Sequence, residues 1–293
     1  MSEILKPRFE TIGLIIRQHS NEHIDEIKAI CQTLKQFGEL MIYALDENYP
    51  LKDCPVTDID TIRRHADLAV SIGGDGTLLS AARLLVDHDI PLVGINLGRL
   101  GFLADVTMSE LGTHIKEIFS GHYSVEKRFL LQGEIITQGK QGETYNAMND
   151  IVLHSYNTTS MIEFEVYSDD RLINRQRADG LIVSTPTGST AYALSGGGPI
   201  MHPALDALAL VPISPHTLSN RPIVLPSDKR IEIRLSRSDM KGQLSFDGQH
   251  PCIINTGDSI FINRYDKQIT LLHPANYDYF EILRAKLNWS NQP

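Results

Sequence analysis

Apolar positions in the first third of the chain follow two alternating patterns. Residues 12–16 form a nearly continuous apolar run typical of a buried strand. Between Ile24 and Phe37 the apolar residues recur at spacings of three and four, and Gly38 follows, which predicts an amphipathic helix ended by a glycine. Similar runs predict strands at residues 40–45, 68–72 and 91–95, and an Ala/Leu-rich segment predicts a helix from Thr77 to about Val86. This order predicts a parallel sheet with helices on its faces, and ligands at the carboxyl ends of its strands.

The pattern changes past about Glu126. Alternating or nearly alternating apolar runs occur at residues 130–136, 162–167, 230–235 and 259–263. Turns rich in Gly, Asn, Asp and Pro separate them, which is typical of an antiparallel β domain. A tail at residues 277–287 again has a helical pattern, and we expect it to pack on the first domain. The predicted organisation is a Rossmann-like α/β domain over residues 1–125, a mainly antiparallel β domain over 126–274 and a helical tail over 275–293.

Composition narrows the class of protein. Asp and Glu outnumber Lys and Arg by 36 to 27, so the formal charge of the 293-residue chain is -9, which argues against an extended nucleic-acid surface. No run approaches the ~20 apolar residues that span a bilayer, and the start lacks the apolar core of a signal peptide. Cys31, Cys54 and Cys252 are far apart, which favours neither a disulfide framework nor a zinc site. We expect a cytoplasmic protein without a membrane or nucleic-acid partner.

The segment Ser71-Ile-Gly-Gly-Asp-Gly-Thr77 joins a predicted strand to a predicted helix. Its glycines let the backbone turn sharply and approach a ligand, and the free N–H groups at the start of the helix favour a phosphate. Asp75 would repel a bare phosphate, but it suits a site in which it holds Mg²⁺ or accepts a proton from an attacking hydroxyl. The alternative is that Asp75 caps the helix and the glycines serve only the turn. The residues of this segment leave both interpretations open.

Two common nucleotide-binding signatures are absent from the sequence. The chain has no Gly-x4-Gly-Lys-[Ser/Thr] motif, so it is not a P-loop enzyme. The turn Gly94-Ile-Asn-Leu-Gly98-Arg-Leu-Gly101 does not match Gly-x-Gly-x-x-Gly, the hydride-transfer fingerprint. Because the turn follows a predicted strand, it is either a plain connection to a helix or a wall of the same cleft as the Asp75 segment.

A second cluster, at residues 177–199, is dense in hydroxyls and glycines. A predicted strand at residues 181–184 leads into a Thr-Pro-Thr-Gly turn, a short helix from about Ser189 and a triple glycine. Hydroxyls and exposed amides at this density suit the many acceptors of a nucleotide. A simple Ser/Thr-rich hairpin turn would not account for the adjoining Asp-Gly pair and triple glycine.

Three of these motifs together resemble those of the bacterial NAD kinases: Gly73-Gly-Asp-Gly-Thr77, Asn149-Asp150 and Asp179-Gly-Leu-Ile-Val-Ser-Thr-Pro-Thr-Gly-Ser-Thr-Ala-Tyr192. Agreement continues at residues 94–103, Glu126-Lys-Arg-Phe-Leu130, Pro215-His-Thr-Leu218, Arg221-Pro222 and Asp247-Gly-Gln249. The first motif alone is shared with lipid and sugar kinases. The combination, in this order along nearly the whole chain, is highly specific.

The resemblance implies a kinase that moves the γ-phosphoryl group of ATP to the 2′-hydroxyl of the adenosine ribose of NAD, giving NADP. Mg²⁺ or Mn²⁺ would bridge the donor phosphates, and the protein alone would supply no metal site beyond Asp75. The implied donor-phosphate loop consists of Gly73, Gly74, Gly76 and Thr77. The implied catalytic residue is Asp75. The implied NAD-binding residues are Asp75, Gly76, Phe102, Asn149, Asp150, Arg177, Asp179, Thr187, Thr190, Ala191, Tyr192, Ala193, Leu194, Ser195 and Gln249.

Within this set the resemblance assigns parts of NAD to particular residues. Asn149 and Asp150 would bind the hydroxyls of the adenosine ribose, and residues 190–192 would hold the adenine, with Thr187 and Phe102 lining the pocket. Asp179 and Ser195 would face the nicotinamide half, with Arg177 close by. The family usually has Asn-Glu where this chain has Asn149-Asp150, so the shorter carboxylate is expected to reach the ribose with a shifted geometry or through a bridging water.

Two rival functions use the same motifs. A lipid kinase would share the glycine-acid segment, but it calls for an apolar cleft or a basic membrane-binding face, and the sequence has no basic amphipathic helix. A dinucleotide sensor would bind without reacting and would not need Asp75. Family resemblance also implies a homodimer or homotetramer. Among the eleven histidines, His216 is of interest because it lies in a Pro-His turn near the expected site.

Overall fold

The computed structural model describes residues 9–17, 23–45, 56–98, 101–137, 139–156, 161–236 and 240–289. Cys54 and the Arg99-Leu100 pair of the second glycine-rich turn lie outside the described residues. The elements up to residue 119 are β1 (Thr11–Ile16), α1 (Ile24–Leu34), β2 (Glu39–Ala44), α2 (Ile59–His65), β3 (Leu68–Ile72), α3 (Asp75–Leu85), β4 (Leu92–Asn96), β5 (Val106–Thr107) and α4 (Leu111–Phe119).

The remaining elements are mostly strands. They are β6 (Tyr123–Thr137), β7 (Lys140–Ala147), β8 (Asp150–Ser155), β9 (Ile162–Ser168), β10 (Arg171–Ala178), β11 (Gly180–Ser184), a 3-10 turn (Thr187–Thr190), α5 (Tyr192–Ser195), β12 (Ala207–Ile213), β13 (Ile223–Pro226), β14 (Ile231–Leu235), β15 (Lys241–Phe246), β16 (Gln249–Asn255), β17 (Ser259–Pro274) and α6 (Tyr279–Leu287). The chain forms two compact units, one from Met1–Lys127 and Ile269–Pro293, the other from Arg128–Gln268.

The first unit is built on a parallel sheet in the order β4-β3-β1-β2. All five residues of β3 and of β4 are buried, because helices cover both faces of such a sheet. The last part of β17 adds to it in parallel, with Leu271 opposite Leu92, and the tail helix α6 belongs to this unit. The predicted βαβα order and parallel sheet are therefore confirmed.

Two helices of this unit are missing from the sequence prediction. Helix α2 has seven residues and buries only Ile62, so its sequence has too few apolar residues at helical spacing to indicate a helix. Helix α4 does bury Leu111, His114, Ile115 and Ile118 at helical spacing, but one of the four is a polar residue. Helix α1 ends at Leu34, three residues before the predicted end at Phe37.

The second unit is formed by antiparallel strands. One six-stranded sheet has the order β13-β12-β11-β8-β15-β16. A second antiparallel set runs β10-β9-β14-β17, and β6 forms a hairpin with β7. Their inward-facing apolar residues share one core that includes Phe164 and Phe246. The predicted fold class, an α/β domain followed by a mainly antiparallel β domain, is confirmed. Among the described residues, no helix has the length and apolar character to cross a membrane.

Candidate active site

The glycine-rich segment forms the turn between β3 and α3. Gly73 has a φ of 145°, a conformation that residues with a Cβ rarely adopt, and a Cβ there would collide with the Thr77 side chain. Gly74 is extended (φ -90°, ψ -171°) and is the N-cap of α3, whose first residue is Asp75. The first N–H groups of a helix lack intrahelical partners, so this turn offers donors to an anion.

The Asp75 carboxylate does not cap its own helix. Its Oδ2 accepts the N–H of Phe102 at 2.9 Å, and its Oδ1 accepts the N–H groups of Leu103 and Ala104, both at 3.1 Å. The interpretation of Asp75 as a helix cap is wrong, because the helix begins at this residue and the side chain turns to a neighbouring loop instead. Three backbone donors therefore fix the orientation of one carboxylate at the glycine-rich turn.

A cavity of about 560 Å³ lies beside this carboxylate, at the carboxyl ends of β3 and β4. The glycine-rich segment forms one part of its lining, and Asn96, Leu97, Gly98 and Gly101 of the second glycine-rich turn form another. The amide oxygen of Asn96 accepts the N–H of Gly98 at 2.8 Å, which shapes that turn. The expectation that both turns line one cleft is thus met by the geometry. Arg17, His23, Ile27 and Lys286 complete the lining.

Sequence reasoning missed Arg17 and Lys286 as site residues. Arg17 directly follows β1, so its place at the carboxyl edge of a parallel strand was a usable signal. Lys286 comes from α6, almost 200 residues after the second glycine-rich turn, and no local pattern indicates that it reaches the cavity. Its Nζ lies 5.7 Å from the centre of the Phe102 ring.

In the second unit, the Asn149-Asp150 pair is held by the Asp247-Gly-Gln249 motif. The Asp247 carboxylate accepts the N–H groups of Met148, Asn149 and Asp150 at 2.9, 2.7 and 3.2 Å. The turn itself has left-handed φ values of 48° and 69° at Asp247 and Gly248. The matched motif therefore positions the pair, which gives Asp247 a role that sequence reasoning did not assign.

Both side chains of this pair are polar, and Asp150 is buried whereas Asn149 is half-buried. The Oδ1 atom of Asn149 is buried and has no hydrogen-bond partner among the described residues, so a hydroxyl donor would satisfy it. Asp150 is only 5% exposed. Burial, and then the neighbouring charge of Asp247, raise the pKa of Asp150 to about 7. The pair thus combines an unpartnered acceptor with a carboxyl group that changes charge near neutral pH.

The Thr-Pro-Thr-Gly turn packs directly on the same pair. The Thr185 N–H donates to the Asn149 carbonyl at 2.9 Å, and the Thr185 hydroxyl donates to the Met148 carbonyl at 2.6 Å. A Cβ on Gly188 would overlap the Asn149 carbonyl, so this close approach requires glycine. Thr187 is buried, and its hydroxyl accepts a hydrogen bond from Arg128 at 3.0 Å. Arg128, in the matched Glu126–Leu130 motif, is therefore a supporting residue that sequence reasoning named without a role.

The residues after this turn fall into buried and accessible groups. Ala193 packs into a core with Val152 and Ile182, so its side chain faces protein. Thr190, Ala191 and Leu194 are half-buried, and Tyr192 and Ser195 are exposed. Tyr192 and Ser195 are therefore the side chains of this part of the segment that are most open to solvent.

A third group of predicted residues gathers at the ends of β10 and β11. Asp179 is exposed, and its carbonyl accepts the Ser155 N–H at 2.8 Å. The His154 ring lies 5.7 Å from the Tyr192 ring. Burial lowers the pKa of His154 while the charge of Asp179 opposes that effect, so these two side chains are neighbours. The Arg177 carbonyl accepts the His216 N–H at 2.9 Å, which brings the Pro-His turn to the same group.

Two further residues, Gln249 and His273, give no structural indication of ligand binding. Gln249 is half-buried at the start of β16, and its position indicates no ligand. His273 is buried between Asp105 and Glu126, at 2.9 and 3.2 Å, and is part of the first unit's structure. In the part of the chain that the structure describes, no three His, Cys, Asp or Glu side chains are grouped to hold a metal ion.

A parallel-sheet unit with a glycine-acid turn at its strand ends, joined to an antiparallel unit with a second polar cluster, defines a nucleotide-dependent phosphotransferase. Family models support this class over most of the chain. The ATP-NAD kinase N-terminal domain matches residues 12–123, and the ATP-NAD kinase C-terminal domain matches residues 148–273. The chain belongs to the NAD kinase family.

Individual relatives agree with this assignment. The chain is 43% identical to the NAD kinase of Thiobacillus denitrificans over 286 residues, covering 97% of this chain and 98% of that protein. It is 43% identical to the NAD kinase of Tolumonas auensis over 288 residues, with the same two coverages. Among solved structures, yeast NADH kinase complexed with NADH is similar with a TM-score of 0.86 and 25% identity, covering 98% of this chain and 90% of that one. An NAD kinase from Archaeoglobus fulgidus in complex with ATP has a TM-score of 0.73 and 25% identity, covering 94% and 98%.

Proposed function

We propose that this protein transfers the γ-phosphoryl group of ATP to the 2′-hydroxyl of the adenosine ribose of NAD, producing NADP and ADP. The observation that carries the proposal is the Asp75 carboxylate, fixed by three backbone N–H groups beside a glycine-rich turn and a cavity of about 560 Å³. Membership of the NAD kinase family, and the relatives that bind ATP and NADH, support the identity of the two substrates.

In this proposal the turn and Asp75 have separate tasks. The amides of Gly74 and Gly76 would hold the donor phosphates, because the start of α3 directs free N–H groups to an anion. The Thr77 N–H already donates to the Gly74 carbonyl at 3.0 Å. The ribose oxygen attacks the γ-phosphorus as the bond from phosphorus to the β,γ-bridging oxygen breaks, and ADP leaves. A carboxylate has about four lone-pair sites, of which three accept N–H groups at Asp75, so one stays available for the ribose hydroxyl. Asp75 orients that hydroxyl and takes its proton late in the transfer.

A divalent cation, Mg²⁺ or Mn²⁺, would neutralise charge on the donor phosphates when bound. The described lining of the cavity contains one carboxylate, Asp75, and no group of three metal-ligating side chains. This donor set fits an ion held mainly by phosphate oxygens and water, with Asp75 as its single protein ligand at most. Positioning and charge neutralisation are the main sources of acceleration in such a loose transition state.

The polar cluster of the second unit would recognise NAD. The unpartnered Asn149 oxygen and the Asp150 carboxyl would accept the hydroxyls of the adenosine ribose. Residues 190–192, with Thr187, would line the adenine pocket. Asp179 and Ser195, with Arg177 close by, would face the nicotinamide half, and the exposure of Asp179 and Ser195 is consistent with a ligand there. Ala193, Leu194 and Gln249 would contribute through backbone or peripheral contacts.

The proposal also includes a cytoplasmic homodimer or homotetramer. Within the described residues, the six-stranded sheet of the second unit has β13 at one edge and β16 at the other. Ile223, Val224 and Ile253 on these edge strands are exposed, and such edges can pair with another chain. Light scattering coupled to size-exclusion chromatography measures this, and a monomeric mass at micromolar concentration would contradict it.

An acceptor panel tests the reaction and separates its rivals. The purified protein with ATP and Mg²⁺ is given NAD, NADH, a diacylglycerol or a sphingoid base, and ADP release is measured for each. We expect NAD-dependent ADP release and none with either lipid. Phosphorylation of a lipid would favour the lipid kinase, and NAD binding without ADP release, for every metal and donor tried, would favour the sensor.

A further inference from the structure

Two cationic side chains that no motif includes line the cavity beside the glycine-rich turn. Arg17 follows β1, and Lys286 lies in the last turn of α6. Both belong to the first unit. The whole chain has a formal charge of -9, yet the lining contains two basic side chains, Arg17 and Lys286, and one acidic side chain, Asp75. The cavity is therefore a cationic site on an acidic protein.

Arg17 is held against the helix that follows the glycine-rich turn. Its Nη2 donates to the Ser80 hydroxyl at 3.1 Å, and that hydroxyl donates to the Gly76 carbonyl at 3.1 Å. Its Nη1 lies 3.9 Å from the position that a Cβ on Gly76 would take. The guanidinium is thus fixed at one end by Ser80, and its other end faces the space next to Gly76.

Lys286 is held near the same turn by an aromatic ring. Its Nζ lies 5.7 Å from the centre of the Phe102 ring, and the N–H of Phe102 donates to the Asp75 carboxylate. The ammonium therefore lies near the ring of Phe102, and the backbone N–H of Phe102 binds the proposed catalytic carboxylate. Among the residues that the structure describes, no carboxylate forms an ion pair with Lys286 or with Arg17.

We infer that Arg17 and Lys286 bind the triphosphate of the donor nucleotide, with Arg17 on the side of Gly76 and Lys286 on the side of Phe102. This inference rests on the proposed function for the identity of the donor. ATP complexed with Mg²⁺ carries a charge of about -2 near neutral pH, which two cations offset. Arg17 supplies a planar fork for two phosphate oxygens, whereas Lys286 acts as a point charge on a flexible stem. The tail helix is then part of the donor site.

Kinetics of full-length variants test the inference. Lys286→Met keeps the apolar stem over Phe102 and removes the charge, and Arg17→Met does the same beside Ser80. We expect each variant to raise the KM for ATP by ~10-fold or more, the usual effect of removing one charge-assisted contact. The KM for NAD should change less than about two-fold. Lys286→Arg, which keeps the charge, should recover most of the affinity for ATP. Arg17→Lys keeps the charge but loses the planar fork, so it should recover only part of that affinity. Lys116→Met, an exposed lysine of α4, is the matched control and should behave as wild type.

A competition measurement separates contacts to phosphate from general loosening of the tail. Inorganic tripolyphosphate should compete with ATP in the wild type and about ten-fold more weakly in Lys286→Met, at equal melting temperatures. Unchanged KM for ATP and unchanged competition in both Met variants, with wild-type NADP formation, would overturn this inference alone. Titration calorimetry with ATP and Mg²⁺, in the absence of NAD, measures donor binding separately from the reaction. If no NADP forms but ATP binding still depends on Arg17 and Lys286, the proposed function fails and the donor site stands.

Discussion

Gly101 lies against Asp75, so closely that a Cβ on Gly101 would overlap the Oδ1 atom of the Asp75 carboxylate. The backbone that begins at Gly101 is the one whose next three N–H groups bind this carboxylate. A glycine is thus needed here for close approach, although the residue lies 26 positions from Asp75 in the sequence.

Gly101→Ala should therefore displace the Asp75 carboxylate without changing Asp75 itself. We expect kcat to fall by about 100-fold, because a misplaced positioning group typically costs this much. Melting temperature and steady-state kinetics are measured together. Gly112→Ala in α4 is the control, since nothing lies within 4 Å of its added Cβ, and it should leave kcat unchanged. Wild-type kcat in Gly101→Ala would show that the Asp75 geometry is not needed.

Gly74→Val tests whether ligand occupies the space beside the turn. Gly74 has a negative φ, and nothing in the protein lies within 4 Å of an added Cβ, so the backbone accepts the substitution. We expect a melting temperature within a few degrees of wild type, and a kcat/KM for ATP reduced by about 100-fold or more. Gly73→Ala is the contrasting variant, because its φ of 145° and the contact with Thr77 should lower the melting temperature itself. A stable and fully active Gly74→Val would place the donor phosphates elsewhere.

Asp75→Asn removes both the charge and one acceptor. Because Oδ1 accepts two N–H groups and Oδ2 accepts one, an amide NH₂ in either position faces a backbone donor. We expect the free energy of unfolding to drop by about 1–3 kcal/mol. We also expect kcat to fall by about 100-fold, because the proton acceptor is lost.

The matched control for that substitution is Asp58→Asn. Asp58 is the N-cap of α2 and accepts the Thr61 N–H at 2.7 Å, a task that Asn performs equally well. Asp58→Asn should have a free energy of unfolding, measured with urea, and an initial rate that are both close to those of the wild type. An Asp75→Asn variant with wild-type turnover would remove Asp75 from the mechanism.

Asp150 should make stability depend on pH near neutrality. Its folded pKa of about 7 lies well above the ordinary carboxyl value expected in the unfolded chain. Such a group stabilises the fold below the unfolded pKa, and that contribution is lost as pH rises through the folded pKa. Asp150→Asn stays neutral, so its free energy of unfolding relative to wild type should rise by on the order of 2 kcal/mol between pH 5 and pH 8.

Urea unfolding at several pH values measures this difference. Asp89→Asn is the control, because Asp89 is exposed and has a left-handed φ of 50° that Asn tolerates. Parallel pH curves for wild type and Asp150→Asn would show that Asp150 is ionised in the fold at pH 5, contrary to this account.

Most of the fold was predictable because its signals are local. The strand at Leu68–Ile72 was predicted to the residue, since an apolar run bounded by polar and glycine residues marks both of its ends. Strand β17 was predicted only as residues 259–263, because Arg264, Asp266 and Lys267 interrupt its apolar pattern although the strand continues to Pro274.

The motifs of the site could be predicted from the sequence, but the contacts between their residues could not. The glycine-acid segment identified Asp75, but sequence could not show that its partners are amides 27–29 residues away. Asp247 was visible as a matched motif, yet its three bonds to residues 148–150 depend on the pairing of β15 with β8. Lys286 reaches the cavity only because the tail belongs to the first unit. The residue types of the site can be identified from the sequence. Contacts between residues far apart in the chain depend on how the strands and helices are arranged.

The product formed from ATP and NAD shows whether this protein phosphorylates the 2′-hydroxyl of NAD. The protein is incubated with Mg²⁺, NAD and ATP carrying an ¹⁸O-labelled γ-phosphoryl group, and the products are analysed by ³¹P NMR and mass spectrometry. We expect one ADP for each NADP, with the labelled phosphoryl group on the 2′-oxygen of the adenosine ribose. With Asp75→Asn, we expect NADP to form about 100-fold more slowly. ADP release without NADP, or the labelled phosphoryl group on any other hydroxyl of NAD, would show that the protein does not phosphorylate this 2′-hydroxyl.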